Sequence, residues 1–170
     1  MANTYTLINS TSLSTTAASV TFSAIPATYD DLILSISARG SDNSAYFNLT
    51  FNSIGGTSYS RTVLMGDGST AQSFNSSSQA NILTAYINRS DYTASSFGSM
   101  EIYIPAYRVS QNKPLSIIGA QETNATTASQ AAIAGLMRDT AAITSVVCTY
   151  PGASTFASGS TFWLYGIKNS

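Results

Sequence analysis

Eight carboxylates, Asp30, Asp31, Asp42, Asp67, Asp91, Glu101, Glu122 and Asp139, stand against seven Lys and Arg in this 170-residue chain, which has no histidine and one cysteine. Two carboxylates facing each other across a bound sugar can run glycoside hydrolysis, the reaction most open to a β protein without His. The local contexts favour another role. Asp30-Asp31 follows Ile25-Pro26, and Asp67 sits within Gly66-Asp67-Gly68, both turn settings in which Asp stabilises its own backbone. The missing His also removes the commonest general base, the Ser-His-Asp triad and the usual transition-metal ligand. Gly66-Asp67-Gly68-Ser69 supplies one carboxylate with no companion series of oxygen ligands, so it makes a weak calcium loop. Cys148 lies in Ser145-Val146-Val147-Cys148-Thr149-Tyr150, which reads as a strand, and is expected to be a small buried hydrophobe. Arg108 and Arg138-Asp139 are expected to be solvated or locally paired. No catalytic residue, cofactor or metal is therefore expected, and the chain reads as a non-enzyme.

Composition narrows the function further. A net charge of −1 with scattered basic residues cannot build the footprint whose counterion release drives nucleic-acid binding. No long apolar stretch suits a membrane span, and no basic region followed by an apolar one opens the chain, so the mature protein is expected to begin near Met1. Charged residues make up 9% and apolar ones 44%, which is not the profile of disorder. In place of charge stand 29 Ser and 21 Thr.

The elements that must position these residues alternate with a step of two. Val20, Phe22 and Ala24 form one apolar row, and Leu32, Leu34, Ile36 and Ala38 form another; Phe47, Leu49 and Phe51 follow the same rule. So do Tyr59, Arg61 and Val63, then Met100, Ile102 and Ile104, then Leu115 and Ile117, the run 143–147, and Phe162, Leu164 and Gly166. Between them lie Arg39-Gly40-Ser41-Asp42-Asn43, Asn52-Ser53-Ile54-Gly55-Gly56 and Gly66-Asp67-Gly68, where Gly supplies positive φ and Asn, Asp and Ser cap the backbone. Ala128 to Arg138 is the one place where alanines favour helix, but the alternation Ile133, Gly135, Met137 favours a strand. Gln72 to Gln79 is the most linker-like stretch, too short to divide domains. The Asn-X-Ser/Thr triplets at Asn9, Asn48, Asn75, Asn88 and Asn124 are what a hydroxyl-rich chain produces by chance. The expectation is an all-β chain: about ten strands in an antiparallel β-sandwich or barrel, one domain over residues 1–170.

Some strands are apolar on both faces. When Phe162, Leu164 and Gly166 face a core, Trp163, Tyr165 and Ile167 point the other way, and Tyr103 likewise opposes Ile102 and Ile104. Either loops cover this second row within the monomer or a symmetry mate does. Aromatics are enriched and charges depleted at interface centres, so Trp163, Tyr165, Ile167 and Tyr103 are the candidate oligomer-interface residues.

Three phrases extend the reading by resemblance. Ala18-Ser19-Val20-Thr21-Phe22-Ser23-Ala24-Ile25-Pro26-Ala27-Thr28-Tyr29-Asp30-Asp31-Leu32, then Glu101-Ile102-Tyr103-Ile104-Pro105 with Asn112-Lys113-Pro114, and the ending Gly159-Ser160-Thr161-Phe162-Trp163-Leu164-Tyr165-Gly166-Ile167 resemble a group of small virion structural proteins of tailed bacteriophages. The resemblance implies a jelly-roll-like β-sandwich on the outer surface of a virus particle, assembled in the host cytoplasm. It implies a capsid decoration (cement) subunit, usually a homotrimer bound to the major capsid protein, or else a fibre or tail module that adsorbs to host-surface glycans. The group has no catalytic motif, so no site residue is carried over from it.

Overall fold

The computed structural model describes residues 4–84 and 86–169. Among these described residues twelve strands run in chain order: β1 (Thr4–Ser12), β2 (Ser19–Phe22), β3 (Asp31–Ala38), β4 (Asn48–Phe51), β5 (Tyr59–Gly66), β6 (Ala71–Gln79), β7 (Ile82–Leu83), β8 (Gly98–Ile104), β9 (Lys113–Glu122), β10 (Ala128–Met137), β11 (Val146–Thr149) and β12 (Thr161–Lys168). They form two antiparallel sheets, one of eight strands in the order β1-β12-β3-β8-β9-β10-β5-β6 and one of four in the order β2-β11-β4-β7. The chain is all-β, a β-sandwich, as its alternation requires.

The apolar rows meet between the sheets. Leu34, Ile36, Ile102, Ile117, Ile133, Phe162 and Leu164 of the large sheet share one cluster with Val20, Phe22, Leu49, Phe51, Val146 and Cys148 of the small one. Cross-strand pairs such as Ile117↔Ile133 and Leu34↔Ile102 bring side chains of one row into contact, the unit from which a sheet gains packing energy. Phe156 ties the layers at one end through edge-on contacts to Phe47, Tyr150 and Phe162. Cys148 is fully buried, and burial pushes its thiol well above the ordinary value, so it serves as the small hydrophobe expected.

Tyrosines reach the interior only with a partner for the hydroxyl. Tyr59 Oη accepts a hydrogen bond from the Phe51 amide at 3.0 Å, and Tyr150 Oη donates to Asp42 Oδ1 at 2.7 Å. Each large ring also needs room. Tyr29 lies over Gly166 so closely that a β-carbon there would sit 2.2 Å from its Cγ. The glycine inside β12 is thus a platform for a ring.

Several sequence expectations need correction. Gln72 to Gln79 belongs to the edge strand β6, not to a linker: with both faces exposed it needs no apolar row, and its backbone pairs with β5. Strand β1 is missed for the same reason, being the other edge of the large sheet. The strand expected at 143–147 begins at Val146 and runs to Thr149, with Val146 and Cys148 inward. Ala128–Met137 is a strand, as the alternation around Gly135 implies, and it pairs on both sides.

Candidate interaction surface

The candidate residues lie on the outward face of the eight-stranded sheet, and register decides which of them are neighbours. One cross-strand row runs Leu7, Tyr165, Ile33, Tyr103, Ser116, Ala134, Thr62, Asn75. The next runs Trp163, Ser35, Glu101, Ile118, Ala132, Leu64, Ser73. Three of the four expected contact residues therefore share two adjacent rows. Tyr165 and Tyr103 flank Ile33, which is 6% exposed although it faces outward, so the tyrosines cover part of their own sheet. Tyr103, Trp163 and Tyr165 stay half-buried. Tyr5 meets Tyr165 edge-on at 6.5 Å and is itself 60% exposed.

Ile167 departs from the expectation. It is 5% exposed within the single chain, because register sets it between Tyr5 and Asp31, and it is core rather than free contact surface. Beside it Asp31 is also buried and acts as a clamp: it accepts hydrogen bonds from Tyr103 Oη at 2.9 Å, the Ala106 amide at 2.8 Å and Asn169 Nδ2 at 3.0 Å. Burial, then the bond to Asp31, pushes the Tyr103 phenol above its ordinary range, so it is held as a neutral donor.

The other half of the face is shaped by small residues. Leu64 is 60% and Ile118 53% exposed, and they rise on either side of Ala132 in a shallow groove of about 320 Å³. Sequence reasoning missed both, because each is the outward member of a doublet, Val63-Leu64 and Ile117-Ile118, whose inward partner identified the strand. Among the described residues no Lys or Arg lies on the outward rows of the eight strands, and Glu101 is the carboxylate at mid-face. Seven inter-strand spacings make this surface roughly 34 Å wide. A face of that width built from Ser, Thr, Ala and exposed aliphatics presents little charge to keep a neighbour away.

The remaining carboxylates hold loops. Asp30 pairs with Arg108 at 2.5 Å, and that bond, with the Asn169 amide, keeps its carboxyl below the ordinary value. Asp67 accepts from the Thr70 and Ser69 amides at 2.7 and 2.9 Å, which pull it down to about 2. Burial pushes Asp42 up, but bonds from Tyr150 and Ser44 outweigh it and hold the carboxyl low. Glu122 likewise collects the Thr93 and Asn124 amides and the Ser96 hydroxyl, at 2.8, 2.6 and 2.9 Å. Arg89 and Asp91 pair at 2.6 Å. No group of three or more His, Cys, Asp or Glu side chains is placed to hold a metal among the described residues. Arg108 is thus locally paired, and Asp30, Asp42, Asp67, Glu122 and Asp139 each accept a hydrogen bond from a backbone amide.

No protein family, curated protein or solved structure matches this chain.

Proposed function

We propose that the protein is a structural subunit of a tailed-bacteriophage particle, most simply a capsid decoration (cement) protein that binds the outer surface of the capsid as a trimer. The observation that carries this reading is the outward face of the eight-stranded sheet, wide, without Lys or Arg on its outward rows among the described residues, and bearing exposed Tyr5, Leu7, Leu64 and Ile118. Large apolar side chains exposed on a face that carries little charge suit a contact surface. Connectivity supports the same reading. In a jelly roll of eight successive strands, one sheet is ordered first, eighth, third, sixth, and the other second, seventh, fourth, fifth. Taking β2, β3, β4, β5, β6, β7, β10 and β11 as those eight reproduces the small sheet β2-β11-β4-β7, and in the large sheet it reproduces β3, β10, β5, β6 with the hairpin β8–β9 inserted after β3.

Cement action is then mechanical. A subunit that binds assembled shell and not free capsomer stabilises the shell by mass action, and repetition around a symmetry axis adds avidity. Neither step asks for catalysis. The test is to mix purified protein with capsids that lack it and follow binding and capsid heat resistance. Saturable binding with a raised disruption temperature is expected; no binding and an unchanged temperature would overturn the reading.

A further inference from the structure

Strand β5 carries a cation in its apolar row: Arg61 lies between Tyr59 and Val63 on the side facing the small sheet. At this end of the sandwich a cleft of about 230 Å³ opens between β5–β6 and the segments around β7, with Tyr46, Arg61, Met65, Phe74, Tyr86 and Arg89 among its lining residues. Two other guanidiniums near this end of the sandwich have more partners. Arg39 donates to the carbonyls of Ser90, Tyr92, Thr93 and Ser96, and Arg89 pairs with Asp91 while lying 5.0 Å from the ring centre of Tyr92. Arg61 has one carbonyl acceptor, that of Leu83, and the face of Phe74 at 5.5 Å from its Cζ. No carboxylate pairs with it among the described residues.

A guanidinium has five N–H donors in a planar fork, and a half-buried one without an anion is costly. Burial pulls the Arg61 pKa down from its ordinary value, the direction expected of a cation in that state. The free donors and the aromatic walls together describe a ligand. A carboxylate matches the fork bidentately, and a ring with an apolar face stacks on Tyr46, which is 38% exposed, or on Tyr86. The volume is below the roughly 300–1,000 Å³ of drug-sized sites, so it takes about one ring. Because Asp91 already pairs with Arg89, Arg61 is the lining cation left without a paired carboxylate, and its single charge matches one carboxylate rather than a doubly charged phosphate.

We propose that this cleft binds a single acidic sugar residue, with the carboxylate on Arg61 and the ring against Tyr46 and Tyr86. The site is defined by the cleft alone and does not depend on how the subunit is fixed to a particle. Capsid binding and sugar binding are separate measurements, and either can fail alone.

The experiment is titration calorimetry, with NMR shift mapping, of the full chain against D-glucuronate, D-galacturonate and N-acetylneuraminate, with D-glucose and benzoate as contrasts. Saturable millimolar binding of at least one acidic sugar is expected, with none for glucose and weaker binding for benzoate. Arg61→Lys keeps the charge but loses the fork, and is expected to weaken binding at least about tenfold. Tyr46→Ala alters an exposed ring and is expected to fold normally while weakening binding several-fold. The proposal is overturned if no acidic sugar binds saturably, if benzoate binds as tightly as the best sugar, or if Arg61→Lys leaves affinity unchanged. Should Arg61→Lys not fold, Tyr46→Ala decides: wild-type affinity in that variant removes the aromatic wall and overturns the site.

Discussion

Replacing Leu64 and Ile118 together with alanine separates the contact role of the outward face from its folding role. The two side chains are 60% and 53% exposed in the free subunit, so somewhat more than half of each is available to be covered by a neighbour. Fully burying a Leu or Ile side chain is worth about 1.5–3 kcal/mol, so covering these exposed parts contributes about 1 kcal/mol each. The double variant is expected to lose about 2 kcal/mol of capsid binding per subunit, roughly a 30-fold drop in affinity, before avidity multiplies it. Its own melting temperature should move little, because the atoms removed are mostly in water already. The assay is co-sedimentation of purified variant with undecorated capsids across a concentration series, beside a thermal melt of the variant alone. An unchanged melt with wild-type capsid affinity would refute the assignment of this face as the contact surface. A large fall in melting temperature would refute the premise that these side chains are free of the core.

Gly166→Ala places a methyl group against the Tyr29 ring, costing about 1–3 kcal/mol by overpacking and lowering the melting temperature by roughly 3–9 °C; Tyr29→Ala in the same chain should relieve part of that loss, and strictly additive effects would show that the ring does not rest on the glycine. Asp31→Ala leaves the Ala106 amide and the Tyr103 hydroxyl without their acceptor, an expected loss of about 2–4 kcal/mol in urea unfolding, and a loss under about 0.5 kcal/mol would contradict the clamp. Trp163→Ala and Tyr165→Ser should reduce the oligomer mass seen by light scattering more than they lower thermal stability, and the reverse pattern would make both residues purely internal. Stability should be flat between about pH 5 and 8, since the chain has no His to titrate there. Asp30, Asp42, Asp67, Asp91 and Glu122 have folded-state pKa values held below their ordinary 3.8 and 4.5, so their contribution is present above those values and is lost as pH falls through the folded ones. Tyr150 and Tyr103 are shifted upward, so their contribution is complete below the ordinary 10.0 and is lost as pH rises beyond it. Chemical denaturation across pH checks both limbs, and a transition near neutrality would contradict them.

Strands with one buried face were legible because burial imprints period two on the residues themselves: Leu32-Leu34-Ile36 and Leu115-Ile117 announce their inward side. Strands β1 and β6 were not legible, since an edge strand largely exposed on both faces has no buried apolar row, and its pairing is a property of the neighbour's backbone. The aromatic second rows of β12 and β8 were legible as an anomaly. Their resolution was not: Tyr165 and Tyr103 became neighbours of Ile33 only through the register of β12, β3 and β8. Arg61 was visible as a charge in an apolar row, yet nothing local could reveal that aromatics surround it while, among the described residues, no carboxylate pairs with it.

Composition and alternation by themselves determined the class of the chain, an all-β sandwich with hydroxyls where charge would ordinarily stand, because both are read residue by residue. Tertiary structure alone decided that Ile167 is core while Leu64 and Ile118 are surface, and that an uncompensated guanidinium opens into a cleft. Those outcomes depend on which strands lie side by side and in what register, and pairing between residues far apart in the chain leaves no periodic mark on either partner.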